Sequence, residues 1–294
     1  YMCTIQIELV YNLNKLLSVL KIYDCLDIVL NDGDASDWAT EAPDKEWTPM
    51  GWTATHTEYK QFAGTLDGQG HSISGLYVKE ELSGVGLFGY IANAKIQNLK
   101  ITNSYFESTI NSSWVYMGSV AGIGYGTFTN VYSDAILVNG GEMTGGLIGR
   151  VVTANNTAFT KCWFDGEIHL KGANGKVGGG FVGSLEKDAG LTDCLMSGTI
   201  DCEATGDVNV GGLIGKRTSS NLWLTRTMVT GDVIPKGASY SKVGALVGNS
   251  SASVYCDYAV FTNESYSGGM GDFTVTGPGS TSTLVFKFVI SALY

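Results

Sequence analysis

A glycine-built pentapeptide recurs six times in this chain, and its spacing restricts the fold more than any other feature. The copies read Val85-Gly86-Leu87-Phe88-Gly89, Gly118-Ser119-Val120-Ala121-Gly122, Gly145-Gly146-Leu147-Ile148-Gly149, Gly179-Gly180-Phe181-Val182-Gly183, Gly211-Gly212-Leu213-Ile214-Gly215 and Gly244-Ala245-Leu246-Val247-Gly248. Their last glycines are 33, 27, 34, 32 and 33 residues apart. A period in this range belongs to stacked units, each too small to bury an apolar face alone.

Two further apolar segments complete each repeat. The second runs through Ile96-Gln97-Asn98-Leu99, Phe128-Thr129-Asn130-Val131, Phe159-Thr160-Lys161-Cys162, Leu191-Thr192-Asp193-Cys194 and Leu224-Thr225-Arg226-Thr227, with Val254-Tyr255-Cys256 as a degenerate last copy. The third is centred on Ile136, Ile168, Ile200 and Val233. All are of strand length and are bounded by Gly, Asn, Asp or Ser, and so much glycine argues against helices. The pattern predicts an all-β chain folded as a right-handed parallel β-helix, with three short strands per coil and a repeat of about 32 residues. The expected inward columns are the Leu/Phe of the glycine block, the Ile/Phe/Leu that opens the second segment, and Leu99-Val131-Cys162-Cys194-Thr227-Cys256.

Such a stack has open ends that need caps. Residues 1–60 are read as an N-terminal cap and lead-in, 61–265 as the repeats and 266–294 as a C-terminal cap, all in one continuous domain. Leu9, Leu13, Leu16, Leu17 and Leu20 follow helical spacing and predict a capping helix, while the run from Leu284 to Ile290 predicts a cap strand. Tyr1-Met2-Cys3 lacks the basic start of a signal peptide, so the chain is expected to be trimmed or to begin after processing. No run reaches the roughly 20 apolar residues that span a bilayer, so no membrane insertion is expected. A net charge of −10 without a basic stripe argues against nucleic acid as partner.

The segments Trp47-Thr48-Pro49-Met50-Gly51 and Phe62-Ala63-Gly64-Thr65-Leu66-Asp67-Gly68-Gln69-Gly70, with the glycine blocks that follow, resemble the GLUG-motif repeat proteins. The resemblance covers roughly residues 45 to 260 and departs from the family pattern at Ala121 of the second block and in the sixth repeat. This family is similar in layout to the β-helical regions beside bacterial IgA-type peptidases and in large bacterial surface proteins. The resemblance implies an extracellular or cell-surface solenoid, and it supplies no catalytic residue.

The residues themselves offer little chemistry. Cys3, Cys25, Cys162, Cys194, Cys202 and Cys256 show no zinc spacing, and Cys162, Cys194 and Cys256 read as small inward hydrophobes. His56, His71 and His169 belong to no His-Glu-x-x-His pair, and neither a nucleophile elbow nor a phosphate loop occurs. His71 is expected to hold a bend in the first coil.

Two carboxylate pairs need weighing. Asp134 and Asp165 share a column in adjacent repeats, a spacing that suits calcium, a retaining glycosidase pair or two solvated turn residues. Glu167 and Asp232 share another, two coils apart. No Lys or Arg stands in either column to act as the base a lyase needs, though Lys161 is nearby.

Tyr132, Trp163, Leu195 and Met228 directly follow an inward position and so point outward, forming an apolar stripe about 15 Å long. Such a stripe is either covered by a loop of its own chain or binds a sugar face or protein partner. These observations lead to the expectation of a non-enzymatic, adhesin-like surface module without an obligatory cofactor, binding a glycan or a host or neighbouring protein. A β-helix carbohydrate-active enzyme and a bare structural spacer are the alternatives.

Overall fold

The computed structural model describes residues 27–51, 61–110, 114–139, 141–152, 157–172, 175–204, 206–218, 221–236, 242–250 and 254–257, with backbone alone at 19–21, 258–261 and 275–276. His56, Cys3, Cys25, most of the expected N-terminal helix and the run from Leu284 to Ile290 lie outside them. Leu20 belongs instead to a strand, Val19–Lys21, paired in parallel with Thr65–Asp67. No α-helix occurs among the described residues; a 3₁₀ turn at Ala35–Asp37 is capped by Asp34, whose side chain accepts from the Ser36 N–H.

The architecture is a parallel β-solenoid. Three sheets run along the stack, one of seventeen strands and two of six. Each strand pairs in parallel with its counterpart one coil later, as Ile136–Asn139 does with Glu167–Leu170 and Thr199–Cys202 with Asp232–Pro235. Pairing begins before residue 61, at Val19–Lys21, and extends to Val275–Thr276, which lies against Val254–Phe261.

Glycine places the corners. The block Gly145 to Gly149 is the bend between strand Met143–Gly145 of one sheet and Ile148–Val151 of the next, and the following coil repeats this with Lys176–Gly179 and Val182–Leu185. The apolar residue at the bend points inward in every coil: Leu87, Val120, Leu147, Phe181, Leu213 and Leu246 are all buried. In the departing second block, Ser119 is fully buried and its Oγ donates to the Gly146 carbonyl at 2.6 Å, so the polar residue is satisfied by the next coil.

The inward column that opens the second segment is continuous through Leu66, Ile96, Phe128, Phe159, Leu191, Leu224 and Cys256. Cys256 therefore follows Leu224, and the Thr227 position continues into Ala259 instead. The expected placement of Cys256 beside Thr227 fails because the last copy begins at Val254 and runs on to Phe261, so its visible apolar start was aligned with the wrong half of the strand. A one-residue correction applies to the third segment as well: Leu137, not Ile136, joins Ile168, Ile200 and Val233 in the core. Both residues are apolar, and only the period of two decides which one faces in.

The 27-residue repeat is short at two places: Ala121–Ser133 runs on as one strand where the next coil divides into Ile148–Val151 and Thr157–Thr160, and the corner after Ile136–Asn139 is tight. Asn139, fully buried, closes the corner between Ile136–Asn139 and Met143–Gly145 by accepting from the Gly141 N–H at 2.6 Å and donating to Thr144 Oγ1 at 2.9 Å. The equivalent connection one coil later, from Leu170 to Lys176, is longer.

A second kind of corner divides the long strands. Asn98, Asn130, Lys161, Asp193 and Arg226 stack with φ of 51°, 54°, 55°, 56° and 45°. This left-handed conformation favours asparagine and aspartate over most other side chains. The stack is tied by Asn130 to Asn98 at 3.0 Å, Asn98 to Asp67 at 3.1 Å and the Arg226–Asp193 pair at 2.6 and 2.9 Å. The next residue donates to the carbonyl two positions back: Cys162 to Thr160, Cys194 to Thr192 and Thr227 to Thr225. Leu99 and Val131 hold the same buried position in the earlier coils, so it takes either an apolar side chain or a small donor.

Candidate functional site: the outward column at Trp163

The register brings Tyr132, Trp163, Leu195 and Met228 into one column, preceded by Lys100. Trp163 is 40% exposed and Met228 39%, while Tyr132 and Leu195 are half-buried. Tyr132 meets Trp163 edge-on, with ring centroids 5.0 Å apart. The indole N–H of Trp163 donates to Ser197 Oγ, and Ser197 donates in turn to Asp165 Oδ1 at 2.6 Å. The indole is thus held by its polar edge, leaving an aromatic surface open to solvent. Thr129, Thr160, Thr192 and Thr225 form a parallel outward column before the left-handed corner, where ordinary β-propensity accounts for threonine.

Asp134 and Asp165 occupy adjacent coils, following the paired Ser133 and Phe164. Their oxygens are engaged within the solenoid: Asp134 accepts from the Asn103 N–H at 2.8 Å and from the Tyr132 hydroxyl at 3.3 Å, and Asp165 accepts from Ser197. Among the described residues no group of three or more His, Cys, Asp or Glu gathers at metal-binding distance. Asp134 is half-buried rather than a solvated turn residue. Burial raises its pKa above the ordinary carboxylate range, partly opposed by the Asn103 hydrogen bond, and the Tyr132 phenol is pushed up to about 12 by burial and by Asp134.

A raised carboxyl pKa gives a definite sign. Just above the ordinary carboxylate range the folded chain holds the Asp134 proton and the unfolded chain has released it, so this group's contribution to stability is lost as pH rises through the folded pKa. Asp134→Asn keeps an acceptor for Asn103 and removes the titration. Its Tm relative to wild type is therefore expected to improve as pH rises above about 4, the ordinary carboxylate value, and to level off once the folded carboxyl has ionised. Thermal unfolding of the two proteins across that window checks this, and a constant difference would show that Asp134 titrates normally.

The six-stranded sheet that contains Glu167–Leu170, Thr199–Cys202 and Asp232–Pro235 carries a charged cluster not anticipated from the sequence. His169 lies 2.9 Å from Glu167 and 4.0 Å from Asp201, and Lys236 lies 2.6 Å from Asp201 and 3.5 Å from Glu203. Glu167, Thr199 and Asp232 fall in one column, as expected for the Glu167–Asp232 pair. A lysine stands near Asp201 and Glu203, outside the columns of both carboxylate pairs. It was missed because Lys236 lies just beyond the strand Asp232–Pro235 and reaches back one coil to Asp201.

Sequence reasoning also missed Trp223 and Tyr255, exposed rings that stack with centroids 5.7 Å apart and planes 15° from parallel. Their signal was available, since both immediately precede an inward residue of the Leu224–Cys256 column. Cys162, Cys194, Cys202 and Cys256 are free thiols. His71 serves the first coil through its backbone, donating to Gly68 and accepting from Lys100.

With this geometry in view, two relatives are informative. The chain is 33% identical over 127 residues to halomucin of Haloquadratum walsbyi, covering 41% of this chain and 1% of that protein. It is 30% identical over 146 residues to a Gly-rich membrane protein of Evansella cellulosilytica, covering 38% of this chain and 16% of the relative. The matched region is thus a small part of each relative's length. No family model matches the chain, and no solved structure matches it. No helix among the described residues is long and apolar enough to cross a membrane.

Proposed function

We propose that this chain is a non-enzymatic repeat module of a cell-surface or secreted protein, of the GLUG-motif kind, and that it binds through the column Tyr132–Trp163–Leu195–Met228. The carrying observation is an indole anchored by its N–H to Ser197 yet 40% exposed. Single exposed apolar residues are ordinary on a protein surface, but a stacked column of four on a rigid sheet is an interaction surface. A fixed aromatic face loses little entropy on binding and suits the apolar face of a sugar ring. The similarity to halomucin and to a membrane protein supports a surface setting.

A second reading rests on a different observation. The Glu167–His169–Asp201–Lys236 cluster supplies acids and a cation within a few ångströms, the raw material of a carbohydrate-active enzyme. Its groups pair with one another, and that pairing supports a structural role for them.

A glycan-array screen of the purified chain, with and without calcium, tests the proposal. A glycan is expected to bind, and Trp163→Ala is expected to fold normally and weaken the affinity by about tenfold or more, equivalent to about 1.4 kcal/mol. Unchanged affinity in that variant removes the column as the site. Release of a cleaved product moves the assignment to the charged cluster, calcium-dependent binding brings Asp134 and Asp165 into the site, and silence across the array favours a protein partner or a spacer.

A further inference from the structure

Arg217 places a full charge in the apolar interior. The column Val151–Leu185–Arg217–Ser250 runs along the inner side of the large sheet. Val151 and Leu185 are fully buried, and Arg217, next in line, is 1% exposed. Its Nε donates to Ser250 Oγ at 3.0 Å. The two terminal nitrogens, Nη1 and Nη2, are buried and have no hydrogen-bond partner among the described residues.

Among the described residues no counter-charge is in contact with the guanidinium. Asp188 is the carboxylate that faces Arg217. Its oxygens already accept from Asn221, at 2.6 Å from the backbone N–H and 3.2 Å from Nδ2. Tyr255 is the other titratable group near the guanidinium. A buried lysine in this position would shed its proton, but arginine keeps its charge in proteins. An uncompensated buried cation is strongly destabilising, and the side chain's two free nitrogens form a planar fork that suits an anion.

We propose that Nη1 and Nη2 of Arg217 hold a small monovalent anion of the chloride class inside this corner. Burial selects the size: a fork enclosed to this degree admits a single ion and excludes a glycan carboxylate. Charge selects the sign, because a water molecule would satisfy the N–H groups and leave the positive charge unbalanced. The anion also explains why a column of Val and Leu tolerates Arg in its next coil. The site is independent of the Trp163 column and makes the last coils of the solenoid halide-dependent.

The test compares purified wild type with Arg217→Leu, which restores the residue type of the preceding coil. Thermal unfolding is followed in sodium chloride and in sodium gluconate at equal sodium concentration. Wild type is expected to gain roughly 4 °C on saturation with chloride, and R217L to show no chloride-specific gain. In parallel, wild type is expected to broaden the ³⁵Cl NMR line, with bromide reversing the effect by competition; this measurement stands even if R217L fails to fold. Equal wild-type Tm in chloride and gluconate without line broadening overturns the proposal, as does an undiminished chloride response in a folded R217L.

Discussion

Gly146→Ala is expected to cost at least about 3 kcal/mol, and to prevent folding if the coils cannot separate. A Cβ at this position would collide with the carbonyl oxygen of Gly180, in the next coil, and with the buried ring of Phe164. The first obstacle is backbone, held in a parallel stack whose strands are about 4.8 Å apart, so a change of rotamer gives no relief. Gly180 meets the same obstacle at the Gly212 carbonyl, and Gly212 at that of Ala245. A single methyl therefore pushes apart two coils that others hold in register. Gly190→Ala is the matched control: it lies mid-strand with nothing within 4 Å of the added carbon. It should be neutral or slightly stabilising, by up to about 1 kcal/mol. Urea unfolding followed by circular dichroism checks the pair, and similar midpoints for the two variants would show that the glycine blocks are not close-packed corners.

The next largest effect belongs to Phe159→Ala, expected to cost about 3–5 kcal/mol. Phe159 is fully buried, stacked on Phe128 with centroids 4.7 Å apart and planes 13° from parallel, and meets Phe181 edge-on at 5.7 Å. Its removal leaves a cavity bordered by rings from two coils, which the stiff ladders on every side cannot collapse to fill. In a solenoid each coil rests on its neighbours alone, so the damage falls on the interface that couples the two halves of the stack. Besides a lower urea midpoint, the transition should broaden or divide, with the coils on either side of Phe159 unfolding separately. Thr160→Ala, one residue away and facing outward in the same strand, is expected to stay within about 0.5 kcal/mol of wild type. A Phe159→Ala protein as stable as that control would mean that the aromatic stack contributes nothing.

The candidate column at Trp163 was legible because it needs only the period of two and the repeat length. Tyr132, Trp163, Leu195 and Met228 each sit one residue after a buried position, and the register confirms their alignment. Trp223 and Tyr255 follow the same rule, yet the irregular last repeat hid where its strand began. Arg217 was visible as the one charge at an inward position among Val151 and Leu185, but an arginine can snorkel to solvent, and sequence does not say whether it does. The charged cluster was beyond reach because His169, Asp201 and Lys236 are joined by side-chain length across coils rather than by a shared column.

The sequence alone determined the class of fold, the axial repeat and most of the inward columns. Those follow from local rules, with glycine where backbones approach, a period of two along each strand and a fixed number of residues per coil. Tertiary structure decided which of two adjacent apolar residues, Ile136 or Leu137, joined the core, because one step of register exchanges the faces of a strand. It also decided that the glycine blocks turn corners, that Asn139 closes a tight one, and that Asp134 is half-buried against Tyr132. Each of these depends on which atoms of the neighbouring coil occupy the space, and the contacts between coils are formed only when the stack closes.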